Sequence, residues 1–132
     1  MSRNVFSPIL FSAMLFLLFL AGCATKTVEF AVPEGPGEKI VALSARSFAF
    51  EPNLIVAKTG DQLLLMVTNR AGINHNLTVR GPDGMEILDR ELPRGETVEV
   101  LLELTQPGEY EFICGKPFHS AAGMQGKIVA RP

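Results

Sequence analysis

The sequence predicts an all-β domain, a sandwich or a barrel, and two observations support this prediction. Short apolar runs of strand length recur from Lys39 onward, and turn-forming residues separate them. Within the stretches VEVLLEL and YEFIC, apolar residues alternate with polar ones, as they do in half-buried strands. Because no helical periodicity extends beyond a single turn, helices are not expected to contribute to the fold.

Eight segments are predicted to be strands, in the order KIVALSARSFAF, NLIVAK, QLLLMVTN, NHNLTVR, MEILDREL, TVEVLLEL, GEYEFIC and KIVARP. The breaks KTGDQ, RGPDGM, LPRGET and TQPGEY between them contain the Gly, Pro and Asp residues that turns require. The apolar residues of these strands predict a core made of Leu54, Val56, Leu63, Leu65, Val67, Leu77, Val79, Val98, Leu101, Tyr110, Phe112 and Ile128.

The first 22 residues have the features of an export signal. One positive charge in MSRN precedes the apolar run VFSPILFSAMLFLLFL, and the small residues of LAGC follow it. This LAGC stretch resembles the lipobox of bacterial lipoproteins, which implies that residues 1–22 are removed and that Cys23 is lipidated. An uncleaved membrane span is the alternative, because residues 5–24 have the length of about 20 residues that crosses a bilayer. Both interpretations place the domain in an extracytoplasmic compartment.

Composition divides the remainder into two parts. Residues 24–38 are rich in Pro, Gly and charge, so a short lipid-anchored tether is predicted over 23–38 and one folded domain over 39–132. After Cys23 the chain has 11 Lys and Arg against 14 Asp and Glu, with no basic run. A nucleic-acid partner is therefore not expected.

Three side chains with metal-binding chemistry are evenly spaced near the end of the chain. Cys114, His119 and Met124 form the pattern C-x4-H-x4-M, and Cys114 is the only cysteine after Cys23. A single cysteine in an exported domain forms no internal disulfide, which makes it a candidate reactive or metal-bound thiol. His75, the other of the chain's two histidines, lies at the start of another predicted strand. Each residue has an ordinary alternative role, since cysteine and methionine fill cores and histidine satisfies turns.

Taken together, the four donors favour copper. Two imidazoles and one thiolate with a weak axial thioether form the donor set of blue-copper electron-transfer sites. Soft sulfur ligands stabilise Cu(I), whereas imidazole accommodates both oxidation states. Two histidines and one cysteine are suitable ligands for zinc, and a zinc site would not require the methionine.

The segment YEFICGKPFHSAAGMQGKIVA resembles the C-terminal copper loop of the cupredoxins, with a spacing closest to their rusticyanin and auracyanin branch. The pair His75-Asn76 matches the His-Asn pair with which cupredoxin copper sites begin. The resemblance implies a Greek-key β-sandwich that binds one type 1 copper ion through His75, Cys114, His119 and Met124. It further implies that Asn76 hydrogen-bonds to the cysteine sulfur or its loop and so joins the two ligand loops.

The function implied by this resemblance is that of a mononuclear electron carrier that exchanges electrons with redox proteins and transforms no small-molecule substrate. Pro117, Phe118, Ala121 and Ala122 form a candidate docking rim around His119, with packing inside the loop as the alternative. A copper oxidase or nitrite reductase would need further histidines, which the chain lacks. Copper delivery or storage, the other alternative, usually relies on exposed clusters of methionine and histidine.

Overall fold

The computed structural model describes residues 26–132, which fold into ten β-strands in two sheets. The strands are β1 (Glu29–Ala31), β2 (Lys39–Arg46), β3 (Ala49–Glu51), β4 (Leu54–Lys58), β5 (Gln62–Asn69), β6 (His75–Arg80), β7 (Glu86–Leu92), β8 (Thr97–Glu103), β9 (Gly108–Ile113) and β10 (Gln125–Arg131). Over this range the chain contains no helix with the length and apolar character needed to span a membrane.

The two sheets are mixed in strand direction. One has six strands in the order β1-β4-β10-β9-β6-β7, and the other has four in the order β3-β2-β5-β8. Strand β4 runs parallel to β1 and β10, and β2 runs parallel to β5, whereas the remaining neighbours are antiparallel. Apolar side chains from both sheets form one core between them. The predicted all-β sandwich is confirmed.

Burial follows the two-residue period in most strands, whereas β6 is buried almost throughout and β7 is largely exposed. The period corrects part of the predicted core. Leu101 is 59% exposed, because its neighbours Val100 and Leu102 face the core and an adjacent residue must face outward. In β4 the residues facing the core are Ile55 and Ala57, while Leu54 and Val56 are half-buried. The other predicted core residues are buried, except Val98, which is partly buried and packs against the core.

The segment predicted to be a tether contributes a strand to the sandwich. Residues 29–31 form β1, which pairs with β4 so that Phe30 lies opposite Ile55. Val28 is also fixed, since its N–H donates to Asn53 Oδ1 (2.7 Å) and its carbonyl accepts from the Asn53 N–H (3.0 Å). Val28, Phe30 and Val32 alternate with other residues over too few positions for the sequence pattern to predict a strand.

The sheet order brings distant parts of the sequence to one end of the sandwich. Strand β6, which begins at His75, is the neighbour of β9, which ends one residue before Cys114. In their register Thr78 lies opposite Ile113. The loop of residues 114–124 then connects β9 to its antiparallel partner β10. The topology therefore places His75 beside the loop that contains the other three predicted ligands.

Candidate metal centre

Three of the predicted donor atoms converge at this end of the sandwich. His75 Nδ1 lies 3.1 Å from His119 Nδ1 and 3.7 Å from Cys114 Sγ, and Cys114 Sγ lies 3.4 Å from His119 Nδ1. His75 and Cys114 are fully buried, whereas His119 is partly exposed to solvent. Within residues 26–132, these three form a cluster of side chains able to hold a metal ion.

The spacing of the three atoms fits a single transition-metal ion. A triangle with these sides has its centre about 2.0 Å from each corner; zinc bonds to imidazole nitrogen and thiolate sulfur are about 2.0–2.3 Å long. All three atoms carry lone pairs when the thiol is deprotonated and each imidazole is neutral with its proton on Nε2. The cluster thus meets both the geometric and the chemical requirements of a site with three ligands in a plane.

Met124 is the last residue of the ligand loop. Its side chain is fully buried, its carbonyl accepts a hydrogen bond from the Cys114 N–H (3.1 Å), and its N–H donates to the His119 carbonyl (3.0 Å). These main-chain bonds link the three ligand candidates of the loop to one another. With His75 they provide the donor pattern of a type 1 copper site: two imidazoles, one thiolate and one thioether.

The surroundings of His75 favour the neutral form of its imidazole. Burial lowers the pKa of His75 below its ordinary value, and the nearby His119 and Lys116 lower it further because they disfavour a second positive charge. A neutral ring with its proton on Nε2 has the Nδ1 lone pair free for a metal.

Asn76 joins the two ligand-bearing segments. Its Oδ1 accepts a hydrogen bond from the Gly115 N–H (2.7 Å) and lies 3.4 Å from Cys114 Sγ. Its Nδ2 donates to Asp89 Oδ1 (2.9 Å) and to Thr78 Oγ1 (3.2 Å). The Asn76 side chain is buried, which partly shields these bonds from competing water. The Asn76 side chain therefore links β6, to which it belongs, to the loop after β9.

Two further contributors were not predicted from the sequence. Asp89 on β7 accepts from both Asn76 and Thr78 (2.9 and 3.0 Å) and so fixes which way the Asn76 amide points. Also on β7, Glu91 pairs with Lys116 of the ligand loop (2.8 Å), and this bond raises the Lys116 pKa. Both acidic residues are exposed on a largely exposed strand, and their role depends on the register between β6 and β7.

Two exposed phenylalanines lie near His119: Phe48, whose ring contacts it, and Phe118, its neighbour in the sequence. Phe48, in the turn between β2 and β3, packs edge-to-face on the His119 ring with centroids 5.1 Å apart. Phe118 is 86% exposed, and Pro117, Ala121 and Ala122 are exposed beside it. Phe48 and Phe118 both have positive φ (58° and 67°), a conformation that is uncommon for residues other than glycine. Phe48 therefore extends the predicted rim from a distant part of the sequence.

Replacing Asn76 with alanine is expected to lower the free energy of unfolding by about 1–3 kcal/mol, the cost of leaving a buried partner unpaired. The Gly115 amide, which loses its acceptor, should exchange with solvent several-fold faster. Denaturant unfolding and amide hydrogen exchange by NMR measure the two effects. Asn74→Ala is the matched control, because the exposed Asn74 side chain accepts one hydrogen bond within residues 26–132, from the Arg94 N–H. Unchanged Gly115 exchange in Asn76→Ala would contradict the assigned role.

The fold and the site together define a β-sandwich protein with a type 1 copper donor pattern, and the comparisons with known proteins agree. A family model described as a cupredoxin-like domain matches residues 10–130. The chain therefore belongs to the cupredoxin-like domain family, and the resemblance seen in the sequence is confirmed.

Solved structures show the same fold. The sodium-dithionite-reduced auracyanin of Roseiflexus castenholzii superimposes with a TM-score of 0.64 at 19% identity, covering 73% of this chain and 100% of that one. Auracyanin A, a "blue" copper protein from Chloroflexus aurantiacus, gives a TM-score of 0.62 at 22% identity, covering 72% and 100%. At these identities the likeness establishes the fold.

Two characterised relatives are similar in sequence. The chloroplastic plastocyanin major isoform of Arabidopsis thaliana is 34% identical over 92 residues, which are 62% of this chain and 52% of the relative. The copper-resistant cuproprotein CopI of Rubrivivax gelatinosus is 28% identical over 98 residues, which are 62% and 59% of the two chains. The match spans little more than half the length of each relative.

Proposed function

We propose that this protein is a mononuclear electron carrier that binds one type 1 copper ion through His75, Cys114, His119 and Met124. The observation that carries the proposal is the convergence of two imidazole nitrogens and one thiol sulfur within 3.7 Å of one another. Copper held there would supply a one-electron Cu(II)/Cu(I) couple. The names of relatives and of structural neighbours, plastocyanin and a "blue" copper protein, support this function.

The residues around the donors favour electron transfer because they restrict movement. The Cys114 N–H donates a hydrogen bond to the Met124 carbonyl, and the Gly115 N–H donates one to Asn76. Asn76 in turn donates a hydrogen bond to Asp89. Ligands fixed in this way keep nearly the same positions in both oxidation states, so little of the protein has to rearrange when an electron arrives. His119 is the one partly exposed member of the clustered donors and offers the route to a redox partner.

The proposal does not include catalysis of a substrate reaction. The whole chain contains two histidines, and both belong to the proposed copper site. Oxidases and nitrite reductases need further histidine-rich copper centres, for which no histidine remains. The expected partners are therefore redox proteins that donate and accept single electrons.

The proposed location is the extracytoplasmic surface of a membrane. The lipobox-like stretch ending at Cys23 supports lipid anchoring, although Cys23 lies outside the described residues. Several buried acyl chains hold a protein durably, because each methylene contributes about 0.8 kcal/mol. Residues 1–22 are proposed to be the signal peptide that directs this export.

A redox titration tests the electron-carrier function. The copper-loaded protein should take up and release one electron per chain reversibly, without loss of metal between cycles. Copper that is lost on reduction, or that is redox-silent, would contradict the proposal.

Copper handling is a second candidate, favoured by the similarity to a relative named as a copper-resistant cuproprotein. The buried Cys114 and Met124 argue against easy release, because a departing ion has to leave a closed site. Incubation with a Cu(I) chelator separates the two functions. A carrier retains its copper over many redox cycles, and a delivery protein transfers it.

Met124→Leu is expected to keep some of the red absorption and to raise the reduction potential of the copper-loaded protein. Loss of the thioether leaves the three ligands of the plane intact, and a weaker axial ligand favours Cu(I). Voltammetry measures the shift. Met85→Leu is the matched control, because Met85 is 67% exposed in the turn before β7 and should leave the potential unchanged. A lower potential in Met124→Leu would contradict an axial role.

A further inference from the structure

The chain enters the sandwich at the same end as the ligand loop. The Lys26 carbonyl accepts a hydrogen bond from Asn53 Nδ2 (3.1 Å), and the Asn53 carbonyl accepts one from the Lys127 N–H (3.0 Å). Lys127 is the third residue after Met124, and Thr27 lines a surface cleft together with Gly123. The first described residues are therefore attached beside the base of the ligand loop.

The length of chain before this attachment is short. Cys23, the proposed lipidation site, precedes Lys26 by three residues, which span at most about 11 Å when fully extended. The eight residues of β5 extend about 27 Å from the far end of the sandwich toward the ligand end. An anchor at Cys23 thus reaches a bilayer only if the ligand end, rather than the far end, is close to it.

The ligand end also has the apolar surface that a bilayer accommodates. We use the name copper-end face for Phe48, Pro117, Phe118, Ala121 and Ala122, which are all exposed. Phe118 is the most exposed large apolar side chain among those described, at 86%. Aromatic side chains at the edge of a domain insert readily at the boundary between headgroups and acyl chains.

We infer that the copper-end face rests on the surface of the bilayer, with Phe118 at the boundary between headgroups and acyl chains. The inference depends on the proposed membrane anchor and adds an orientation to it.

Single tryptophans test this orientation, because the natural chain contains none. Phe118→Trp is placed on the copper-end face, and Leu101→Trp is the matched control on β8, where Leu101 is 59% exposed and lies opposite Leu64 toward the far end. The whole metal-free chain is reconstituted in phosphatidylglycerol and phosphatidylethanolamine vesicles that contain brominated acyl chains. Quenching at position 118 should exceed quenching at position 101 several-fold.

The outcomes separate this inference from the proposed function. Equal quenching at positions 118 and 101 in chain that floats with the vesicles would overturn the orientation alone. Chain that does not float with vesicles would overturn both the anchor and the orientation, while copper binding is measured independently. Shielding of position 118 that appears only in native membranes, without quenching by brominated lipid, would show a protein on this face and overturn the lipid contact.

Discussion

Cys114→Ser is expected to abolish the red absorption of the copper-loaded protein completely. The absorption arises from charge transfer between thiolate and copper, and a serine oxygen is a hard donor that provides no such transition. Cys114 is fully buried beside the other donors. It is the only cysteine among the described residues, so no second thiol there can replace it. Absorption spectroscopy of the copper-loaded variant measures the effect.

Cys23→Ser is the matched control for this substitution, since Cys23 is the other cysteine of the chain. It should leave the spectrum unchanged and affect only membrane attachment. A Cys114→Ser protein that remains blue would overturn the assignment of Cys114 as a ligand.

Gly126→Ala is expected to cause the largest loss of stability, about 3 kcal/mol or more, beyond the usual range for an overpacked core. A Cβ at this position would lie 2.7 Å from the Asn53 carbonyl oxygen and closer still to the Phe112 ring. Phe112 is buried and packs edge-to-face on Phe50, with ring centroids 5.5 Å apart, so the ring has no free space to occupy. Denaturant unfolding of the metal-free protein measures the change.

Gly72→Ala provides the control for Gly126→Ala. Gly72 is exposed, and a Cβ there would meet no atom within 4 Å. The substitution should leave the free energy of unfolding unchanged or raise it by up to about 1 kcal/mol, through the smaller entropy of the unfolded chain. Similar stabilities for Gly126→Ala and Gly72→Ala would contradict the packing described around Gly126.

The strands were predictable where apolar alternation continued over several residues. Strand β5 is an example, since Leu63, Leu65 and Val67 all face the core as predicted. Alternation fails to predict β1, which is three residues long and is stabilised by pairing with β4 rather than by its own pattern. It also fails at the turn between β2 and β3, where Phe48 adopts a positive φ and divides one predicted strand into two.

The candidate ligands were predictable because their spacing and chemistry are visible in the sequence. Cys114, His119 and Met124 occupy a single loop, and the neighbouring asparagine distinguishes His75. The residues that support them were not predictable in the same way. Asp89 reaches Asn76 only through the pairing of β6 with β7, and Phe48 reaches His119 only across a turn. Such contacts depend on register and on local backbone conformation, which no spacing rule specifies.

The measurement that tests the central claim most directly is a copper titration of the metal-free protein, followed by absorption spectroscopy. The claim is that His75, Cys114, His119 and Met124 surround one ion. The expected result is an intense red band that rises linearly and saturates at one copper per chain. A colourless protein at saturation, or a band that continues to grow beyond one equivalent, would contradict it.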